Sequence, residues 1–158
     1  MKTVYLALGS NLGDRRAHLD RARELLQSPD FVITRVSSIY ETEPREVRDQ
    51  PWFLNQVIEA ETGLFPRQLL RHTQQIERRT GRARTIPKGP RVIDIDILLY
   101  GEAIVNAADL RIPHPRIGER RFVLEPLAEL APDLRHPVTK KTVREMLSAV
   151  TGQVVRRA

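Results

Sequence analysis

Two carboxylates two residues apart, Asp94 and Asp96, sit inside the otherwise apolar run Val92-Ile93-Asp94-Ile95-Asp96-Ile97-Leu98-Leu99. β-Branched residues in alternation predict a strand, with both acids on one face and Ile93, Ile95 and Ile97 on the other. Side chains at that spacing stand roughly 6.5–7 Å apart along a strand. Hard carboxylate oxygens so placed suit one or two divalent cations. The apolar continuation through Leu98 and Leu99 points to a central strand, where charge costs free energy unless something neutralises it. The alternative is an amphipathic strand with one face in water. Gly89-Pro90-Arg91 shifts the weight towards a site: glycine lets backbone approach a ligand, proline stiffens the entrance, and arginine offers a planar cation beside the acids. A guanidinium next to a metal-binding pair is the chemistry a polyphosphate requires.

The rest of the chain must position that strand. Its 158 residues suffice for one domain, taken as 1–158, and are few for two. Hydrophobic content of 41% and charged content of 29% are ordinary for a globular protein, and no apolar run is long enough to span a bilayer. The chain also lacks a secretory leader pattern and has no cysteine, so a cytoplasmic location without disulfides is expected. The net charge of +6 favours an anionic partner. Arginines gather between Arg67 and Arg91 and again between Arg111 and Arg121, flanking the acidic strand. That distribution fits phosphate oxygens better than general solubility. Lys140, Lys141, Arg144, Arg156 and Arg157 read as solvated surface charge.

Strands are predicted over Lys2–Ser10, Phe31–Tyr40, Trp52–Glu61, the acidic run, and Ala103–Val105. Helices are predicted from Gly13-Asp14 to Ser28, from Pro66 to about Thr80, over Phe122–Leu130, and over Thr142–Val150. Two charged, proline-bounded loops, Glu43–Pro51 and Gly81–Pro90, lie between them and are expected to close over the site. The order β-α-β-β-α-β followed by extra elements predicts an α+β fold. Specifically, it is a ferredoxin-like α/β/α sandwich with a mostly antiparallel central sheet and C-terminal additions. Phe53 and Asn55 share parity and so share a face, whereas Trp52 is of opposite parity and reads as packing. On residue type alone, Phe53 and Phe122 serve equally as core, His114 in Pro-His-Pro as a loop histidine, and Glu77 beside Arg78 as a surface acid.

Taken together, several blocks resemble the 6-hydroxymethyl-7,8-dihydropterin pyrophosphokinases of the folate pathway over nearly the whole chain. They are Ala7-Leu8-Gly9-Ser10-Asn11-Leu12-Gly13-Asp14, Ser37 to Pro44, Gln50 to Asn55, Ile76-Glu77 with Gly81-Arg82, Gly89 to Leu99, and Ile112-Pro113-His114 to Phe122. The resemblance implies pyrophosphoryl transfer from ATP to the pterin hydroxymethyl oxygen, with AMP released. It implies that Asp94 and Asp96 ligate two Mg²⁺ ions and act in catalysis with Arg82 and Arg91. ATP would be held by Gln74, Glu77, Lys88, Arg91, Ile97, His114 and Arg120, and the pterin by Thr42, Pro44, Phe53, Asn55 and Phe122. The chain departs from the family's frequent pattern at Glu43, at Lys88 (where an aromatic is common) and at Arg116.

Two other classes fit less well. Gly9-Ser10 with Asp94-x-Asp96 is like a nucleotidyltransferase signature, but there the two parts lie close in sequence, and here they do not. An RNA-binding module of the same strand order needs adjacent stacking aromatics on its central strands, and these positions hold Ile and Asp. The expectation is therefore a monomeric enzyme of small-molecule substrates that engages neither nucleic acid nor membrane.

Overall fold

The alternation of Val4, Leu6 and Leu8 with Tyr5 and Ala7 forms the first strand, β1 (Lys2–Ser10). The computed structural model describes residues 1–44, 49–80 and 92–158. Arg82, Lys88 and Arg91, the whole Gly81–Pro90 loop and part of the Glu43–Pro51 loop lie outside them. Helix α1 (Arg15–Leu26) starts where the Asp14 carboxylate accepts from the Ala17 N–H, capping an otherwise orphaned donor. After it come β2 (Phe31–Val36), β3 (Tyr40–Thr42) and β4 (Phe53–Thr62). Helix α2 (Pro66–Arg79) has proline in its first turn, and the Gln68 side chain accepts from the Phe65 N–H. The acidic run is β5 (Asp94–Tyr100), followed by the small hairpin β6 (Val105–Asn106) and β7 (Arg111–Ile112). The chain then forms α3 (Arg121–Leu130), α4 (Val143–Ala149) and β8 (Val155–Arg157). The Thr142 hydroxyl and Glu145 carboxylate cap the start of α4 reciprocally. Among the described residues no helix is long and apolar enough to cross a membrane.

Six strands form one antiparallel sheet in the order β5-β1-β4-β3-β8, with β2 also pairing β4. The predicted Phe31–Tyr40 strand is thus broken in two. Between Val36, opposite Ile58, and Tyr40, opposite Asn55, three residues of one strand face two of the other, a β-bulge. Ser37 closes the break: its N–H donates to the Val57 carbonyl and its hydroxyl accepts from the Val57 N–H. Two further expectations are corrected. β5 is the edge of the sheet, paired only with β1 among the described residues, where a central strand was expected. And Arg156 and Arg157 are not simply solvated, because they belong to β8, which pairs with β3. There Arg156 bonds the Glu41 carboxylate and lies over the Trp52 ring, 4.8 Å from its centre.

Helices cover both faces. On one, Leu19, Ala22 and Leu26 of α1 with Leu69 and Ile76 of α2 pack on Val4, Leu6, Leu8, Ile58, Ile95 and Ile97. On the other, Val123, Leu124 and Leu127 of α3 with Val143 and Met146 of α4 pack on Tyr5, Val57, Leu98 and Leu99. A second bulge decides how β5 divides between these layers. Leu6 pairs with Ile97 and Tyr5 with Leu99, so Leu98 is the extra residue and both leucines reach the α3 layer. That layer covers only the Tyr5–Val57–Leu99 end of its face. The other end, with Gly9, Asn55 and Asp94, is left open.

Candidate active site

The open end of this face is a cleft of about 560 Å³. Gly9 at its floor is paired with Asn55 of β4 on one side and Asp94 of β5 on the other, and Ala7 likewise stands between Val57 and Asp96. Asp94 and Asp96 both line it and are half-buried, while Ile93, Ile95 and Ile97 point into the α1–α2 core. The period-two expectation for the acids therefore holds at the structural level.

Across the cleft stands a polar wall. Asn55 and Thr42 are buried (8% and 3% exposed), and the Asn55 carboxamide donates to the Thr42 hydroxyl at 2.7 Å. Phe53, on the same face of β4, and Phe122, in the first turn of α3, bring two half-buried rings to the same space. The Arg120 guanidinium lies 5.6 Å from the centre of the Phe122 ring, close enough for a cation–π contact. A flat, hydrogen-bonding bicycle requires this combination of ring faces and edge donors or acceptors.

His114 is brought in by the second bulge. Leu98, the unpaired residue of that bulge, accepts the His114 N–H on its carbonyl at 3.0 Å. The Arg116 backbone N–H in turn donates to His114 Nδ1 at 3.1 Å, which places the imidazole proton on Nε2. Burial, then the positive charges of Arg120 and Arg116, push the His114 pKa down to about 4. The ring is thus a neutral Nε2–H donor at physiological pH. Its folded pKa lies below the usual 6.5, so as pH falls from about 6.5 to about 4 the unfolded chain takes up the proton first and stability is withdrawn. Above that window this group contributes no pH dependence. An NMR titration of the imidazole is expected to give a midpoint near 4 and the Nε2–H tautomer. A midpoint near 6.5 would contradict this environment.

Glu77 is buried, not a surface acid: one carboxylate oxygen accepts the Ile95 N–H at 2.9 Å. It thereby holds the open edge of β5 between the two aspartates. Gln74 is exposed on the same helix, Ile97 is in the core behind the acids, and Pro44 is buried; none of the three lines the cleft. Gln50, Glu43, Arg116 and Glu119 do line it, although residue type alone did not single them out. A second set fixes the approach to Phe53. The Asn11 side chain donates to Gln50 Oε1 and the Pro51 carbonyl, and Arg15 donates to the Trp52 carbonyl and the Glu41 carboxylate. Arg156 first, and then Arg15, hold the Glu41 carboxyl below the usual carboxylate range. The Gly-Ser-Asn end of β1 was the sequence signal for Asn11; β8 gave none for Arg156.

The donor set fits magnesium. Asp94 and Asp96 offer hard oxygens on one face, at a separation of roughly 6.5–7 Å set by the strand. Among the described residues no group of three or more His, Cys, Asp or Glu gathers at one point. Such a pair leaves coordination positions for phosphate and water, as magnesium in phosphoryl-transfer sites requires.

The family model for 7,8-dihydro-6-hydroxymethylpterin-pyrophosphokinase matches residues 5–132. The 2-amino-4-hydroxy-6-hydroxymethyldihydropteridine pyrophosphokinase of Bacillus subtilis is 48% identical over 137 residues, covering 86% of this chain and 82% of its own. The folic acid synthesis protein fol1 of Pneumocystis carinii is 41% identical over 155 residues, 98% of this chain, yet the chain spans only 21% of that protein's length. The fold is also that of a solved Plasmodium falciparum HPPK-DHPS, at a TM-score of 0.76 and 17% identity, over 94% of this chain and 43% of that one. With most of its length matched by the family model and nearly half of its aligned residues shared with the bacterial relative, the chain belongs to the 7,8-dihydro-6-hydroxymethylpterin-pyrophosphokinase family, enzymes that transfer a pyrophosphoryl group to hydroxymethyldihydropterin in folate synthesis.

Proposed function

We propose that the cleft above Gly9 is the site at which this chain moves the pyrophosphoryl group of ATP to 6-hydroxymethyl-7,8-dihydropterin. The hydroxymethyl oxygen bonds to the β-phosphorus and gives up its proton to solvent, the bond from the β-phosphorus to the α,β-bridging oxygen breaks, and AMP leaves with that oxygen and the electron pair. One observation supports this above the others: a single cleft brings together the acid pair, the Thr42–Asn55 pair, the rings of Phe53 and Phe122, and His114. Phe53 and Phe122 would sandwich the pterin while Asn55 and Thr42 read its edge. Asp94 and Asp96 would hold Mg²⁺, two ions by resemblance. When bound, that ion neutralises triphosphate charge and polarises the phosphoryl oxygens. Transfer to a neutral alcohol depends on in-line positioning more than on a strong base, and the chain's own contribution is that positioning. His114 offers its Nε2–H, and Arg116 and Arg120 their charge, to the nucleotide phosphates.

By the same inference the strand order β5-β1-β4 followed by the bulged pair β2 and β3, with helices on both faces, is a ferredoxin-like α/β/α sandwich. We take residues 1–158 as a single pyrophosphokinase domain, acting as a cytoplasmic monomer on small molecules. Arg82, Arg91 and Lys88 belong to the phosphate end, and Gln74, Glu77 and Ile97 to the nucleotide pocket, by resemblance alone. Pro44 is assigned to the pterin side on the same ground. The test is a pterin-dependent assay of nucleotide products. AMP formed only when the hydroxymethyl pterin is present is the expected result, and ADP in its place, or no dependence on pterin, would overturn the proposal.

A further inference from the structure

The floor of the cleft is uneven in a way that neither the acids nor the rings explain. β1 runs between two strands whose side chains rise higher on this face, for at the rung Asn55–Gly9–Asp94 it contributes no side chain, and at the next, Val57–Ala7–Asp96, only a methyl. The outer backbones are two strand spacings apart, roughly 9–10 Å, so the middle of the floor is a trough one side chain deep. Gly9 is buried in a regular strand. In a strand interior alanine is ordinarily the better residue, because glycine loses more backbone entropy and packs nothing. Space is what glycine provides here. A Cβ at this position would crowd Asn55 Oδ1 at 3.0 Å, whereas Phe53 Cδ1, at 3.6 Å, would be in ordinary van der Waals contact with it. Asn55 has little room to yield, being buried and held by its 2.7 Å bond to the buried Thr42 hydroxyl.

We propose that Gly9 is a positioning residue for pterin binding: the empty space above its Cα lets the Asn55 carboxamide lean over β1, and so fixes where the pterin's edge lies relative to the acid strand. This rests on the assignment of the Asn55–Phe53 side of the cleft to pterin. The test titrates 6-hydroxymethylpterin, followed by its fluorescence, with magnesium and a non-hydrolysable ATP analogue present. The proteins are the wild type, Gly9→Ala, Asn55→Ala and the double variant. Gly9→Ala is expected to weaken pterin binding about tenfold and to leave affinity for the analogue within about twofold, because the displaced carboxamide stands on the side of the cleft assigned to pterin. On the Asn55→Ala background, where the obstructing oxygen is gone, the same methyl is expected to change pterin affinity by less than about twofold. Equal losses on both backgrounds, no loss in the wild type, or parallel loss of the analogue would overturn the role of Gly9 alone. Unchanged pterin affinity in Asn55→Ala would instead remove the pterin assignment, and this inference with it.

Discussion

Asp96→Ala is expected to abolish AMP formation from ATP and the hydroxymethyl pterin, by about 10³-fold or more at saturating magnesium. The size follows from where the side chain stands. Asp96 is half-buried in the cleft, two residues from Asp94 on the same face, with Ala7 as its neighbour on β1. No third acid, histidine or cysteine gathers with the pair among the described residues, so none of these is placed to take over a lost ligand. The protein itself is expected to fold, since the removed group lies on the open end of the face and not in either apolar layer. Turnover within about tenfold of the wild type would remove Asp96 from the proposed machinery.

The second large effect is expected at a residue that lines no part of the cleft. Glu77 reaches from α2 to the Ile95 N–H, on the edge of β5 that β1 does not pair. An edge donor buried against a helix costs about 1–3 kcal/mol when its acceptor is taken away, and this one lies between the two acids. Glu77→Ala is therefore expected to destabilise the fold by about 2 kcal/mol and to slow turnover by about 10–100-fold as the aspartates lose their fixed spacing. Glu77→Gln keeps an oxygen acceptor and is expected to recover most of both losses. The readout specific to this mechanism is hydrogen exchange at the Ile95 amide, faster in Glu77→Ala and near wild type in Glu77→Gln. Unaltered protection in Glu77→Ala would show that the carboxylate does not hold the strand.

Much of this arrangement is legible in the order of residues. The acids share a face because strand geometry has period two, and Phe53 and Asn55 share one for the same reason. The starts of α1 and α2 announce themselves through Asp14 and Pro66. What escapes the sequence is register. Nothing in Ser37-Ser38-Ile39 declares that Ser37 will replace a ladder partner and split one strand into two. Nothing in Ile97-Leu98-Leu99 declares that Leu98 is supernumerary, although that one residue sends both leucines to the α3 layer and frees the carbonyl that seats His114. The apolar run mimics a central strand because helices cover one face of β5 and the Leu98–Leu99 end of the other, and a carboxylate of α2 covers part of its edge. β8 is hidden because two of its three residues are arginines, whose value lies in partners far away in the chain: Glu41 and Trp52 for Arg156, Tyr40 and Glu129 for Arg157. Glu77 misleads for a related reason, since an acid among arginines on a helix looks exposed until the strand beside it is known.

The binding of Mn²⁺ as a paramagnetic substitute for Mg²⁺, counted by electron paramagnetic resonance with a non-hydrolysable ATP analogue present, tests the acid pair without reference to turnover. Wild-type protein is expected to bind more of the ion than the analogue alone retains, and the Asp94→Asn, Asp96→Asn double variant to lose that excess while remaining folded. Equal binding by the two proteins would mean that the aspartates hold no cation and that the chemistry lies elsewhere.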